Sequence, residues 1–528
     1  MFFRRKKRIR KQLQSSFGHL KTEGFNFDLI QCYHDRSSTE DSFQTLSDQT
    51  CNDLDFELFF CFIDRTTSKI GQQYLYHQLR TIDPTIKFDH QERVIKYLQE
   101  NPEDRLNIQY ELNKLSHKQA YYLSDLFQKK IQTKPKWYFI FPLLSFTALL
   151  SIILSFINPT MILFFLGLLP VHVFIHYGLK RKTIIFLNSV PTLLVTGAVA
   201  KKLLTYSILK EASSNIEKSI QVISSIRRKM SFFKLEQKVD SDMEAAYWFL
   251  LELIKITFLL EPLLLFSSLD KLRNKSDDIE EVFRFIGKVD SYISVTSLRS
   301  NLENYCTPNI TDEVNHLEFK DVMHPLVADC VTNSIHTKHS VLLTGSNMSG
   351  KTTFIRAIGL NYISGMTMNT CFATEARLPI AKLYSLIRIE DDLMESKSYF
   401  YKEVDEIKKI INAIGGQFNS IVLLDELFKG TNTIERIASA KSVLSYIVKK
   451  KSQVFVSTHD IELTTMLNNQ FELFHFTESV INSSIHFDYK LKLGTLKQGN
   501  AIRILEIKEY PKEITESANA IVSEMKLD

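Results

Sequence analysis

The sequence predicts an α/β domain with a parallel sheet in the C-terminal part of the chain. An all-α domain precedes it, and a hairpin of two membrane-length helices is inserted into that helical domain. Three observations predict this. The apolar run Val341-Leu342-Leu343 enters Gly345-Ser346-Asn347-Met348-Ser349-Gly350-Lys351-Thr352, a glycine-rich turn between a strand and a helix that starts at Lys351 or Thr352. A second apolar run, Ile421-Val422-Leu423-Leu424, ends in the carboxylates Asp425 and Glu426, and such runs fit strands of a parallel sheet covered on both faces. Residues 137–179 contain no Asp, Glu, Lys or Arg.

In chain order, the N-terminus carries Arg4, Arg5, Lys6, Lys7, Arg8, Arg10 and Lys11 with no apolar stretch behind them, so it is not a signal peptide. A basic arm of this kind meets DNA phosphates or anionic lipid, or stays a solvated tail. Residues 34–53 are polar and read as a linker, and a helical run follows to about Phe127. The uncharged stretch divides at the turn dipeptide Asn158-Pro159 into 137–157 and 160–179. Each half has about the 20 residues that cross a hydrocarbon core. Lys129, Lys130, Lys134 and Lys136 stand before it, and Lys180, Arg181 and Lys182 after it. The positive-inside bias puts both termini and the α/β domain on the cytoplasmic side of the cytoplasmic membrane. Trp137, Tyr138 and Tyr177 lie where interfacial aromatics belong. The competing reading is a buried hairpin in a soluble core; against it, the polar residues are only scattered Ser, Thr and His, whereas a soluble surface helix needs a continuous polar face.

His172 and His176 have the spacing of two metal ligands on one helix face, but no cysteine or carboxylate lies near them in sequence. They read as an interfacial pair. Residues 183–200 read as a core or membrane-hugging helix rather than a third span. Residues 247–266, with Glu252, Lys255 and Glu261, read as an amphipathic helix packed on the body.

The chemistry lies in the α/β domain. Backbone N–H groups of a loop such as 345–352 point at phosphates, and the helix N-terminus adds its dipole. Lys351 reaches the outer phosphates of ATP and the Thr352 hydroxyl takes Mg²⁺. Asp425 holds Mg²⁺ directly or through water, and Glu426 orients or deprotonates the attacking water. A third apolar strand, Val454-Phe455-Val456, runs into Ser457-Thr458-His459-Asp460, where His459 either senses the γ-phosphate, positions water, or is an ordinary strand-end histidine.

These motifs together resemble the MutS family of ATPases, a branch of the ABC-type fold. The segment from Thr344 through Gly345, Ser346, Asn347, Met348, Ser349, Gly350, Lys351 and Thr352 to Thr353 is similar to the family's TGPNMGGKST loop. Asp425-Glu426-Leu427-Phe428-Lys429-Gly430-Thr431-Asn432-Thr433 is similar to DEIGRGTST, and Ser457-Thr458-His459-Asp460-Ile461-Glu462-Leu463 to ATHYFEL. Asp391-Asp392-Leu393 followed by Ser398-Tyr399-Phe400-Tyr401-Lys402-Glu403 resembles the DDL…STFxxE segment, which completes the ATP site of the opposite subunit. The resemblance therefore implies a homodimer with two composite sites and Ser398 acting in trans. Met323-His324-Pro325-Leu326-Val327 resembles the RHPVV strand. Where the family places an adenine-stacking Phe in Phe-x-x-Asn, this chain has Cys330-Val331-Thr332-Asn333. Leu493-Gly494-Thr495 and Gly499-Asn500-Ala501 echo the family's DGAA…SYGLAVA segment.

The segment from Phe62 to Leu75 resembles the opening of the family's helical core. On this basis residues 1–50 are a basic arm and linker, 51–136 the first half of the helical core, 137–179 the hairpin, 180–315 the second half of the core and lever, and 316–528 the ATPase domain. Family members that read mismatches carry an N-terminal domain with a Phe-x-Glu element. About 50 residues precede the core in this sequence, which implies a shortened, membrane-anchored member without that domain.

The chain has 528 residues and a net charge of only +5, so nucleic-acid binding is not demanded by composition and any basic surface must be local. Six cysteines without paired spacing read as reduced, mostly buried thiols. The expected function is a membrane-anchored ATPase coupled to DNA, mismatched or branched by resemblance. The alternatives are an ABC-type transport motor and a regulatory membrane ATPase with a protein partner.

Overall fold

A computed structural model describes residues 2–528 except 39–41, 130–135, 212–214, 231–241, 261, 264–265, 267–271, 273–274, 314–315, 347, 389–398, 482–483, 496–500 and 526–528. The chain forms two compact units. One holds residues 1–38, 64–77 and 88–301, and the other 39–63, 78–87 and 302–528.

The first unit is helical. Its centre is the helix Ser276–Arg299, whose residues are buried from Val289 to Arg299. Asp290, fully buried, accepts from the Thr67 and Ser68 amides at 2.8 and 2.7 Å and from the Ser68 hydroxyl at 2.6 Å. These contacts satisfy donors at the start of helix Lys69–Arg80, a capping role worth about 1 kcal/mol. Burial nevertheless pushes the Asp290 carboxyl up to about 6. The basic N-terminus is a helix, Phe2–Ser16, and Arg10 pairs with Glu103 at 2.8 Å. Arg4, Arg5, Lys6, Lys7 and Arg8 are exposed along it.

Segments Lys136–Ser155 and Met161–Gly178 are long and apolar enough to cross a membrane by length and composition. Leu143, Phe146, Leu163 and Phe174 are exposed along them. The second continues without a break as the helix Met161–Leu203, about 65 Å long at 1.5 Å per residue. Its far end buries Leu193, Leu194, Val199, Ala200 and Leu203 in the helical core, so the described side chains toward the end of 183–200 belong to the core.

Two sequence expectations fail in this unit. His172 and His176 are buried rather than interfacial. The His172 Nδ1 lies 2.8 Å from the Thr257 carbonyl, and His176 Nε2 lies 3.3 Å from Glu252. The carboxylate absent from the local sequence comes from helix Asp242–Thr257. That helix packs against the apolar pair rather than on the body, with Phe249, Leu250, Leu253 and Ile254 exposed. Ser145 donates to the Phe258 carbonyl at 2.8 Å, and Phe141 and Phe266 stack at 6.2 Å.

The second unit is α/β. Its six-stranded sheet runs in the order Lys492–Leu493, Phe471–His475, Ser340–Thr344, Ser452–Ser457, Asn419–Asp425, Ala381–Leu386. All neighbours are parallel except the edge strand Lys492–Leu493. The three strands read from apolar runs are its centre, fully buried as expected. A four-stranded sheet of Asn309–Thr311, Glu375–Pro379, Leu317–Val322 and Asn333–Thr337 stands beside it in the same unit. The strand ahead of Met323 ends at Val322, so 323–327 is a loop rather than the expected strand.

Residues 39–63 and 78–87 fold with this unit, although their sequence reads as linker and helical core. The Gln44 side-chain amide donates to the Leu383 carbonyl at 2.6 Å and accepts from the Leu383 amide at 2.7 Å, pairing with the exposed edge of the sheet. Asp53 accepts from the Ser385 hydroxyl at 2.6 Å and the Arg388 amide at 2.8 Å. These polar residues are polar because they hydrogen-bond, not because they are solvated. All six cysteines are free thiols, but only Cys371 is buried and the other five are partly exposed.

Candidate active site

The C-terminal ends of three adjacent parallel strands build the site. Strand Ser340–Thr344 turns through the glycine-rich loop into helix Lys351–Met368. The loop needs its glycines. Gly350 has φ 105°, and a Cβ on Gly345, at φ 152°, would meet the Phe476 carbonyl oxygen at 2.8 Å. Met348 also takes a left-handed φ, 68°, with its side chain exposed.

Lys351 is buried, and its Nζ folds back onto the loop, donating to the Gly345 and Ser346 carbonyls at 2.9 and 2.8 Å. Burial lowers its pKa, opposed by Glu426, Asp425 and Glu478. Ser346 donates to Glu478 at 2.6 Å, and Thr353 is exposed. The Ser349 hydroxyl is buried with no hydrogen-bond partner among the described residues. An orphan of this kind inside a phosphate-type loop is a donor waiting for an anion. Asn347 lies outside the described residues.

The parallel register places Ser457 opposite Asp425. Asp425 accepts from Thr352 at 2.7 Å and from the Ser457 hydroxyl. Thr352 and Asp425 thus meet where a single Mg²⁺ would take an oxygen from each. Glu426 follows with φ 50°, and its amide donates to the Ser457 carbonyl at 3.0 Å. His459 Nε2 lies 2.8 Å from one of its carboxylate oxygens, and Lys429 Nζ lies 2.7 Å from the other. His459 first, then Lys429, hold the Glu426 carboxyl down to about 2. His459 Nε2 also stands 3.5 Å from Lys351 Nζ. Lys351, Thr352, Asp425, Glu426 and His459, chosen from separate motifs, therefore converge.

A cavity of about 530 Å³ opens over the loop, with Lys351, Thr352 and Glu426 at one side and Val327, Cys330 and Tyr489 in its walls. The Tyr489 ring lies 3.3 Å from where a Cβ on Gly350 would be, and Asn333 fixes it by donating to the Tyr489 carbonyl at 3.0 Å. An aromatic face is thus present although the expected Phe position holds Cys330.

Sequence reasoning missed Glu403, Lys429, Ser457 and Tyr489. Glu403 sits in helix Tyr399–Ala413 and accepts the Phe428 amide, while Phe400 and Phe428 approach at 6.2 Å. Phe428 has φ 61° at the position where DEIGRG has glycine, so this bond holds a strained turn that carries Glu426 and Lys429. The signal for Lys429 was its place three residues after Glu426. For Glu403 it was the shared STFxxE pattern. Ser457 was legible only once strand register was known. Ser398 and Asp391-Asp392-Leu393 lie outside the described residues.

Residues 341–526 match the family model for MutS domain V. The chain is 32% identical over 262 residues to the DNA mismatch repair protein MutS of Petrotoga mobilis, covering 47% of this chain and 32% of that protein. It is 30% identical over 269 residues to that of Fervidobacterium nodosum (48% and 32% covered). With that of Oceanobacillus iheyensis it shares 26% over 316 residues (57% and 36%). The matched stretch spans about a third of the length of these relatives. The converging loop, carboxylate and histidine motifs all lie within the stretch that matches MutS domain V.

Proposed function

We propose that this protein binds Mg-ATP in the 530 Å³ cavity and hydrolyses it, coupling turnover to DNA. The observation that carries the reading is the meeting of Thr352 and Asp425 at 2.7 Å beside Lys351 and the Glu426–His459 pair. Residues 345–353 bind the phosphates, with Lys351 leaving its loop carbonyls for the terminal phosphates. Thr352 and Asp425 hold Mg²⁺, which supplies charge neutralisation to the phosphates when bound. Glu426 aligns the attacking water. With His459 and Lys429 on its carboxylate it is a weak base, so orientation rather than proton abstraction is its main task. Tyr489 stacks on the base. The working form is a homodimer in which Ser398 of each protomer completes the opposite site.

The DNA reading rests on the match to MutS domain V and on the names of the relatives. Anisotropy titrations of the purified full chain with homoduplex, mismatched and branched DNA should show binding that weakens steeply as salt rises. No binding to any of them at low salt removes DNA as the ligand.

The apolar pair 136–178 and the helix Asp242–Thr257, with its exposed Phe249, Leu250, Leu253 and Ile254, support anchorage in the cytoplasmic membrane. Exposed apolar surface of this extent has no stable place in water. The full chain should stay in the membrane pellet through an alkaline carbonate wash. Recovery in the supernatant would mean these helices are covered by protein instead.

A further inference from the structure

Away from the ATP site, the four-stranded sheet of the α/β unit brings together His316, Glu318 and His336. Their ligand atoms all lie within 4.8 Å of one another. Glu318 and His336 are register partners across the antiparallel strands Leu317–Val322 and Asn333–Thr337. His316 is two residues before Glu318 and so shares its face of the sheet. His336 Nδ1 lies 3.3 Å from Glu318 Oε1, and His316 Nε2 lies 4.0 Å from Glu318 Oε2.

His316 is the informative member. It is 4% exposed, and its Nε2 is buried with no hydrogen-bond partner among the described residues. Its other nitrogen, Nδ1, sits 2.6 Å from Glu313 Oε2. A carboxylate oxygen only accepts, so Nδ1 carries the proton. In the neutral ring the Nε2 lone pair then faces Glu318 and His336. A carboxylate on the outer nitrogen of a histidine whose inner nitrogen is bare is the arrangement that orients a metal-ligating imidazole. A buried acceptor left in this way costs about 1–3 kcal/mol unless something occupies it.

We propose that His316, Glu318 and His336 bind a divalent transition-metal ion of the zinc class, with Glu313 as the positioning residue. Two imidazoles and one carboxylate suit zinc-like ions, whereas Mg²⁺ and Ca²⁺ take oxygen ligands. Bonds of about 2.1 Å in a tetrahedron set ligand atoms about 3.4 Å apart, so the observed 3.3 and 4.0 Å need only small side-chain rotations. The fourth position faces solvent, since His336 is exposed. Arg377, with Nη1 3.4 Å from His316 Nδ1, and Lys338, which acts on Glu313, oppose the cation. They make the site a modest binder rather than a permanent one. A bound ion would fasten the strand Asn333–Thr337, which runs directly into the phosphate-loop strand Ser340–Thr344.

The test uses the full chain in detergent, without nucleotide and with excess Mg²⁺ to fill hard-ligand sites, titrated with Co²⁺. One saturable equivalent should appear as visible d–d absorption without the near-ultraviolet thiolate band that the partly exposed cysteines would add. Zn²⁺ should displace it and raise the melting temperature. His336→Ala and Glu318→Gln, both at accessible positions, should abolish the signal, and Glu313→Gln should weaken it by about tenfold. Absence of saturable uptake, a thiolate-dominated spectrum, or uptake unchanged in His336→Ala and Glu318→Gln would overturn the proposal.

Discussion

Lys351→Ala should abolish Mg-ATP binding and turnover, lowering kcat/KM by at least about 100-fold. Lys351 is the cation of the loop, 5% exposed, and donates to the Gly345 and Ser346 carbonyls, with His459 Nε2 3.5 Å away. Those two bonds hold it at the mouth of the phosphate cradle, from which a short side-chain swing brings it to the anion. Alanine removes both the charge and the two donors. The fold should survive, because the helix Lys351–Met368 behind it is buried along nearly its whole length by apolar residues of the sheet unit. Calorimetry with Mg-ATP, on protein whose melting transition is intact, reads the result. Turnover at the native rate would mean that the glycine-rich loop is not the phosphate site.

Glu426→Gln should keep nucleotide binding and slow hydrolysis by about 10²–10⁴-fold, because the water loses its charged acceptor while the phosphate contacts remain. The side chain is engaged on both oxygens, by His459 at 2.8 Å and Lys429 at 2.7 Å. Glutamine keeps a single acceptor oxygen, so only one of these two groups can still donate to it. The pH dependence has a definite sign. The Glu426 carboxyl is lowered from its ordinary 4.5 to about 2. Its charged, paired form is complete above about 4.5 and is lost only as pH falls through about 2. An acid limb of the rate profile near neutrality therefore cannot come from Glu426. A single-turnover measurement separates binding from cleavage. Native cleavage in the variant would remove Glu426 from its assigned role.

Much of this site was legible before any fold was known. Gly345 through Thr353, Asp425, Glu426 and His459 are each marked by an apolar strand that ends in a short polar motif, and phosphate chemistry limits what such motifs can be. What the pattern does not carry is lateral position. Ser457 reaches Asp425 because their strands are neighbours in register, and Tyr489 reaches the cavity from a segment more than a hundred residues beyond the loop. Glu403 holds the Phe428 turn from another helix. Ser457 and Tyr489 have no local period or spacing to betray them, and the STFxxE pattern that marks Glu403 does not say which turn it holds. The same limit explains the misplaced linker. Asp53 and Gln44 look like solvated polar residues until strand Ala381–Leu386 is beside them.

The sequence by itself determined the element types, the central strands and the phosphate loop, because backbone propensity, apolar runs and glycine requirements act within a few residues. Only the tertiary structure decided which polar residues are paired and which stand alone. It put Glu252 against His176 and left His316 Nε2 bare beside Glu318 and His336. The physical reason is that the free energy of a buried polar atom depends on its partner, and that partner is supplied from anywhere in the chain.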